Sequence, residues 1–286
     1  MTGFQKFIKY AAIAFGIYLS ITIVLALLGI ARGLVGASKN DEFKDIVTDR
    51  EEYKTEDITR NYENIKNLEV NVEETELIIR NGDTFKIEGT NIPDKMEIEQ
   101  KGNQLSISDE ELPSSFSDGN MVMTIYIPED TKLDNIDLEI NYVPADIQKL
   151  NTANLKLDIY NNYCEIDEII TDNMEFKNEE GNIDIYDAEI GRLLFDSESR
   201  VEDVSLDITG NAEINLEYSY TDMNLIGTQE DYQISTKNQA GNIYIAGETI
   251  SSKAETWGGG SAKIDLDNVN ADIFINFREA TNESSL

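Results

Sequence analysis

The sequence predicts an all-β fold, a parallel β-helix-like solenoid of about 20 residues per rung behind an N-terminal single transmembrane helix. Three observations carry that prediction. Met174, Leu194, Ile214 and Ile234 fall one period of 20 apart, and Ile183, Met223 and Ile243 keep the phase nine residues later. The phrase Gly-Asn-Ile-x-Ile occurs at Gly181 to Ile185 and again at Gly241 to Ile245, three periods on. Within each period two short runs alternate apolar and polar residues, as half-buried strands do.

The repeat units follow in order. Met174 and Phe176 form the first apolar pair of one unit, and Ile183 and Ile185 form the second. Later units carry Ile214 and Leu216 with Met223 and Leu225, then Ile234 with Ile243 and Ile245. Leu155 and Leu157 precede Met174 and Phe176 by 19, so the repeat begins at or before Leu155. In the unit of Leu194, Val204 and Leu206 sit one residue late, which predicts a bulge or a longer turn. Each unit exposes an apolar stripe that only a stacked neighbour can bury. Asn161-Asn162, Asn178 to Asn182 and Asn238 to Asn242 supply turn residues that tolerate left-handed backbone.

Residues 65–147 read as the N-terminal β-strand part or cap of the solenoid, with 148–279 as its repeats and 280–286 as a disordered tail. Leu68 to Val72, Leu77 to Ile79, Phe85 to Ile87, Met96 to Ile98, Leu105 to Ile107 and Met121 to Ile127 are strand-like. Asn81-Gly82, Lys101-Gly102-Asn103 and Asp118-Gly119-Asn120 between them suggest hairpins. At the far end, Ile264 and Leu266 followed by Ile273, Ile275 and Phe277 restore the pattern after ten extra residues that include Trp257-Gly258-Gly259-Gly260. That glycine run lacks the Lys and Ser or Thr of a phosphate loop and reads as a turn.

The N-terminal segment is different in kind. Residues 1–33 read as a cytoplasmic stub and transmembrane helix, because Ala11 to Ile30 carry no charge. Twenty residues at about 1.5 Å each span about 30 Å, enough to cross a bilayer core. Lys6 and Lys9 precede the span, which favours a cytoplasmic N-terminus and an extracytoplasmic body. A cleaved signal peptide competes, since Val35-Gly36-Ala37 before Ser38 satisfies the small-residue rule, although the apolar run is longer than a signal core. Residues 34–64 form an acidic spacer in which Asp and Glu outnumber Lys and Arg.

Charge restricts the partners. The first 40 residues hold four of the 23 Lys and Arg and no acid, so residues 41–286 carry 19 basic and 56 acidic groups, a formal charge of −37. Nucleic acid is excluded as a partner, and anionic head groups repel such a body. Cys164 is alone, so no intramolecular disulfide forms, and its place between Tyr163 and Ile166 suits a packed thiol.

The phrases Met123-Thr-Ile-Tyr-Ile-Pro128 and Leu133-x-x-Ile-x-Leu138 stand beside the Gly-Asn-Ile-x-Ile units. With the closing Gly-Gly-Gly-Ser-Ala-Lys-Ile-Asp-Leu and Asp272-Ile-Phe-Ile-Asn-Phe277, they resemble the bacterial β-strand-repeat proteins labelled "putative adhesin", over roughly residues 65 to 278. The resemblance implies a right-handed β-solenoid on a bacterial cell surface, in a family of unassigned biochemical role with some members linked to envelope stress. It brings no catalytic residues.

Chemistry is sparse in the sequence. With no His, Ser-His-Asp, Cys-His and His-metal arrangements are absent. Carboxylate pairs such as Asp184 with Asp187 or Asp158 with Glu165 would suit a carbohydrate-active enzyme, but 56 acids make close pairs unavoidable. Asp265-Leu-Asp267-Asn268 and Asp203 to Asp207 offer oxygen ligands for calcium (Ca2+), without an EF-hand or a glycine-rich nonapeptide. Tyr160, Tyr163, Tyr186, Tyr218, Tyr220, Tyr232 and Tyr244 are strand residues that could also form a ladder for a surface glycan or protein ligand. No catalytic, cofactor-binding or metal-ligating residue is assigned. The expected function is a membrane-anchored, non-catalytic surface protein, adhesin-like or an envelope scaffold. The alternative is a sensor or regulatory partner in envelope-stress signalling, for which Ser20, Thr22, Gly16 and Gly29 would couple helices.

Overall fold

The computed structural model describes residues 54–109, 121–250 and 253–279. Among the described residues there are strands and no helix, and none therefore that is long and apolar enough to cross a membrane. The uncharged stretch 11–30, the first part of the spacer and the tail 280–286 lie outside the described residues. The described body is an all-β solenoid with parallel stacking of its rungs.

Two hydrogen-bonded ladders build it. Strands β9 (Ala145–Tyr160), β10 (Tyr163–Glu179) and β11 (Asn182–Ser197) are long because each serves both ladders, bending where one residue turns left-handed. Those residues are Lys149 (φ 60°), Glu168 (φ 52°) and Asp187 (φ 49°), which recur every 19 residues. Ladder 1 takes the part of each strand before the bend and ladder 2 the part after it. Inward side chains of both ladders form one core, with Ile147, Ile166 and Ile185 from ladder 1 and Leu157, Phe176 and Phe195 from ladder 2 all fully buried. Each such side chain contributes about 1.5–3 kcal/mol by leaving water.

The period is 19, one less than the spacing of the apolar landmarks suggests. Met174 pairs with Leu155 on one side and Leu193 on the other, and Phe195 pairs with Ile214. Leu193 is therefore the buried residue of its rung, while Leu194 lies outward in line with Glu175 and Glu213. The apparent step of 20 links Met174 to the outward Leu194 and then to Ile214, which is in register with Phe195 rather than with Leu193. In β12 (Val201–Ile208) the register shifts between Glu202 and Val204, with Asp203 left-handed at φ 48°, as the late phase of Val204 predicts.

Stacking does not follow chain order at either end. β2 (Asn67–Val72) and β3 (Thr75–Gly82) sit between the rung of β6 (Gln104–Ser108) and β7 (Met121–Pro128), and the rung of β8 (Leu133–Asn141) and β9. At the other end, β18 (Ala262–Arg278) inserts between the pair β13 (Asn211–Glu217) and β14 (Tyr220–Ile226) on one side and β15 (Tyr232–Ile245) on the other. Part of the ten extra residues before Ala262 is strand β17 (Ala254–Gly258), which pairs with β15 before the chain enters β18.

Antiparallel strands close both ends. β4 (Lys86–Pro93) pairs with β7, β1 (Thr55–Asn61) pairs with β4, and β5 (Glu97–Lys101) pairs with β6. The spacer expected over 34–64 thus ends in a strand of the body. The hairpin expected at Lys101-Gly102-Asn103 joins β5 and β6, but Asn81-Gly82 joins no hairpin, because β7 lies between β3 and β4. At the opposite end β16 (Glu248–Ile250) and β17 (Ala254–Gly258) cover β15. Such capping by short, charged, antiparallel strands blunts an edge that would otherwise template another chain.

The Gly-Asn-Ile-x-Ile phrase is a corner followed by a ladder 1 strand. The Nδ2 groups of Asn178 and Asn238 donate to the carbonyls of Gly181 and Gly241, each at 3.3 Å, and Asn268 donates to Ala271 at 3.0 Å. Gly241 has φ 90°, and a Cβ there would stand 2.1 Å from the Ala271 carbonyl oxygen, so glycine alone fits.

Candidate functional site

Because interior positions are apolar, any binding chemistry resides on the outward rows of the two ladders. On ladder 2, Asn67, Asn135, Asn154 and Asn173 stand in register. Asn135 donates to Asn67 at 2.7 Å, Asn154 to Asn135 at 3.0 Å and Asn173 to Asn154 at 3.1 Å. Arg192 continues this row, and Asp137, Lys156, Glu175 and Leu194 form the next. A groove of about 330 Å³ runs between them. The amide N–H groups are largely spent within the ladder, since Asn154 also donates to the Asp134 carbonyl at 3.2 Å. The row therefore works first as a staple between rungs. Sequence reasoning missed it, although 135, 154 and 173 repeat at the true period.

Ladder 1 presents acids and rings. Asp146, Glu165 and Asp184 stand in register on its outer face. The Arg80 guanidinium grips Asp146 through both carboxylate oxygens, and this raises the arginine further above its ordinary range. Tyr163 donates to Asp184 at 2.9 Å, which holds the phenol well above its usual value. Burial, then the neighbouring Glu168 and Asp187 charges, raises the Asp167 carboxyl.

Beyond this strip lies an aromatic row. Phe274 of β18 is in register with Tyr244 of β15, and their rings stack at 4.7 Å between centroids and 6° between planes. Tyr220 of β14 joins from the other side at 5.5 Å and 43°, with the Arg200 guanidinium 5.6 Å over its ring. Tyr220 is 42% exposed, and Phe274 and Tyr244 are half-buried. Around them Asn276 donates to Asp222 at 3.2 Å and Asn242 donates to Asp272 at 2.8 Å. Phe274 escapes a periodic reading because it stands 30 residues after Tyr244, a separation set by the inserted rung.

The other residues singled out by sequence are dispersed. Tyr232 points inward, donates to the Ile226 carbonyl at 2.5 Å, and burial pushes its phenol up to about 12. Tyr160 meets Tyr142 edge-on at 5.2 Å, Tyr186 is half-buried, and Tyr218 is an exposed corner residue at φ 53°. Asp158 and Glu165 belong to different ladders, and Asp187 is held by Arg278 at 2.6 Å rather than paired with Asp184. Asn268 faces the interior while Asp265 and Asp267 do not, and the bulge at Asp203 separates it from Asp207. Among the described residues no group of three or more acids or thiols is arranged to hold a metal ion. Cys164 is fully buried, and desolvation pushes its thiol far up. Trp257 stacks on Phe277 at 5.2 Å and 12°, and a Cβ at Gly260 would meet the Asp231 backbone at 2.0 Å, so this segment is a tightly packed turn.

The protein is an all-β stack with reordered terminal rungs, an apolar core and outer faces that carry polar and aromatic groups. The chain belongs to the Toastrack DUF4097 family, whose model matches residues 65–285. A "putative adhesin" from Bacteroides fragilis is similar at 13% identity and TM-score 0.46, over 79% of this chain and 98% of that one. A "putative cell adhesion protein" from Clostridium sporogenes shows 14% identity and TM-score 0.31, over 79% and 100%. A "putative adhesin" from Parabacteroides distasonis shows 11% and 0.40, over 79% and 98%. No curated protein matches.

Proposed function

We propose that the protein is a membrane-anchored, non-catalytic surface protein that holds an acidic β-solenoid outside the cytoplasmic membrane and acts by binding through an outer face. The observation that carries the reading is the aromatic row of ladder 1, half-open to solvent on an otherwise polar sheet. Catalysis is disfavoured by the absence of His, by a buried, high-pKa thiol, and by candidate carboxylate pairs of which one, Asp158 and Glu165, is split between ladders and the other has Asp187 bound to Arg278 and Asp184 to Tyr163. Anchoring rests on the uncharged stretch 11–30, and the outward orientation on Lys6 and Lys9 before it.

Protease applied to intact cells tests the placement. A C-terminally tagged protein should lose its tag from outside, leaving a small N-terminal fragment with the membrane. A tag that survives until the cells are lysed overturns the proposal.

A further inference from the structure

We infer that the Tyr220, Phe274 and Tyr244 row is a binding site for an uncharged polysaccharide. This deepens the surface-binding reading above and rests on it. The three rings come from three neighbouring rungs, brought together because β18 lies between β14 and β15. They form an apolar strip only a few rings wide, and apolar C–H faces of a sugar ring are the natural partners of aromatic rings in such a strip.

The border supplies the other half of sugar recognition. Asp222 and Asp272 are carboxylates already held by Asn276 and Asn242, so their remaining lone pairs are fixed in direction before any ligand arrives. A carboxylate oxygen accepts strongly from a hydroxyl, and pre-ordered acceptors cut the entropy lost on binding. The formal charge of −37 on residues 41–286, from 19 basic and 56 acidic groups, repels acidic glycans and leaves neutral ones. A protein partner is less well served, since a stable interface needs about 1,000 Å² or more with a large apolar centre, and the row offers three partly covered rings.

The test uses the full-length protein in detergent, titrated with mannan, dextran, β-glucan and chitooligosaccharide, with heparin as the acidic comparison. At least one neutral polymer should bind saturably and heparin should not. Phe274→Ala with Tyr244→Ala should weaken binding ten-fold or more, while Asp222→Asn weakens it with every ring intact. Trp257 fluorescence and circular dichroism check that the variants fold; Tyr220→Ala, at the most exposed ring, serves if the double variant does not. Heparin as the preferred polymer, no neutral polymer bound, or undiminished binding by the folded variants each overturns the assignment. The protease experiment above is independent of all three outcomes, so a failed site is distinguishable from a failed surface reading.

Discussion

Replacing Leu193 and Leu194 one at a time by alanine separates a 19-residue rung from a 20-residue one. Leu193 is 2% exposed and lies in register between Met174 and Ala212. Leucine-to-alanine changes in a core cost about 2–5 kcal/mol, more where the surroundings cannot collapse into the void. Ala212 offers only a methyl group on one side, so Leu193→Ala belongs in the upper half of that range, about 3–5 kcal/mol. Leu194 lines the outer groove between Glu175 and Glu213, and its loss should cost about 1 kcal/mol or less. In a body of this size each kcal/mol moves Tm by about 2–4 °C. Leu193→Ala should therefore melt about 6–20 °C lower, and Leu194→Ala within about 4 °C of the parent. Urea unfolding by circular dichroism reads the whole stack, and fluorescence of Trp257, the single tryptophan, reads its C-terminal end. Equal losses, or a larger loss for Leu194→Ala, would refute the register.

Two further outcomes follow from local geometry and charge. A Cβ at Gly210 would stand 2.3 Å from the Gly191 carbonyl oxygen, so Gly210→Ala should cost about 1–3 kcal/mol in urea unfolding. Gly259→Ala, with nothing within 4 Å, is the near-neutral control, and matching losses at both sites would contradict the close approach at this corner. Burial raises the carboxyls of Glu74, Asp167 and Asp207 in the folded state, so the native protein holds more protons than the unfolded chain just above the ordinary carboxylate range. Their contribution is fully present below the unfolded pKa values and is lost as pH rises through the folded ones. The lowered carboxyls of Glu88 and Asp231 act in the opposite sense, but at lower pH. Tm should consequently rise from pH 7 to pH 5 at fixed ionic strength, and less so in Asp167→Asn; a fall over that interval counts against the assignment.

How much of this was legible in the sequence depends on the distance over which each signal acts. Alternation within a strand is a property of neighbouring residues, so Ile183 and Ile185 or Ile243 and Ile245 identify themselves as inward pairs. Stacking by a fixed step is nearly as legible, and the parallel repeat follows from it. The step itself was misread because Leu193 and Leu194 are adjacent leucines, and hydrophobicity alone does not say which one faces in. The late phase of Val204 does mark a bulge, at Asp203, but the step past it stays 19, from Leu193 to Ala212 and from Val204 to Met223. Which rung touches which is a different matter. A strand bonds its neighbours through backbone groups common to all residues, so the insertion of β18 beside β14 leaves no mark except an irregular spacing.

That same insertion explains why the candidate site was only half visible. Tyr220 and Tyr244 could be named as surface aromatics, but the ring that joins them comes from the rung closing the chain. Stacked in simple chain order, β14 would meet β15 directly, without Phe274 between them. Because β18 lies between them, the row and its Asp222 and Asp272 border form only after the last strand has docked. The binding face is thus a product of the completed stack rather than of any one repeat, and the outer rows of β9 to β11 carry amides, charged groups and separate tyrosines but no such stacked cluster.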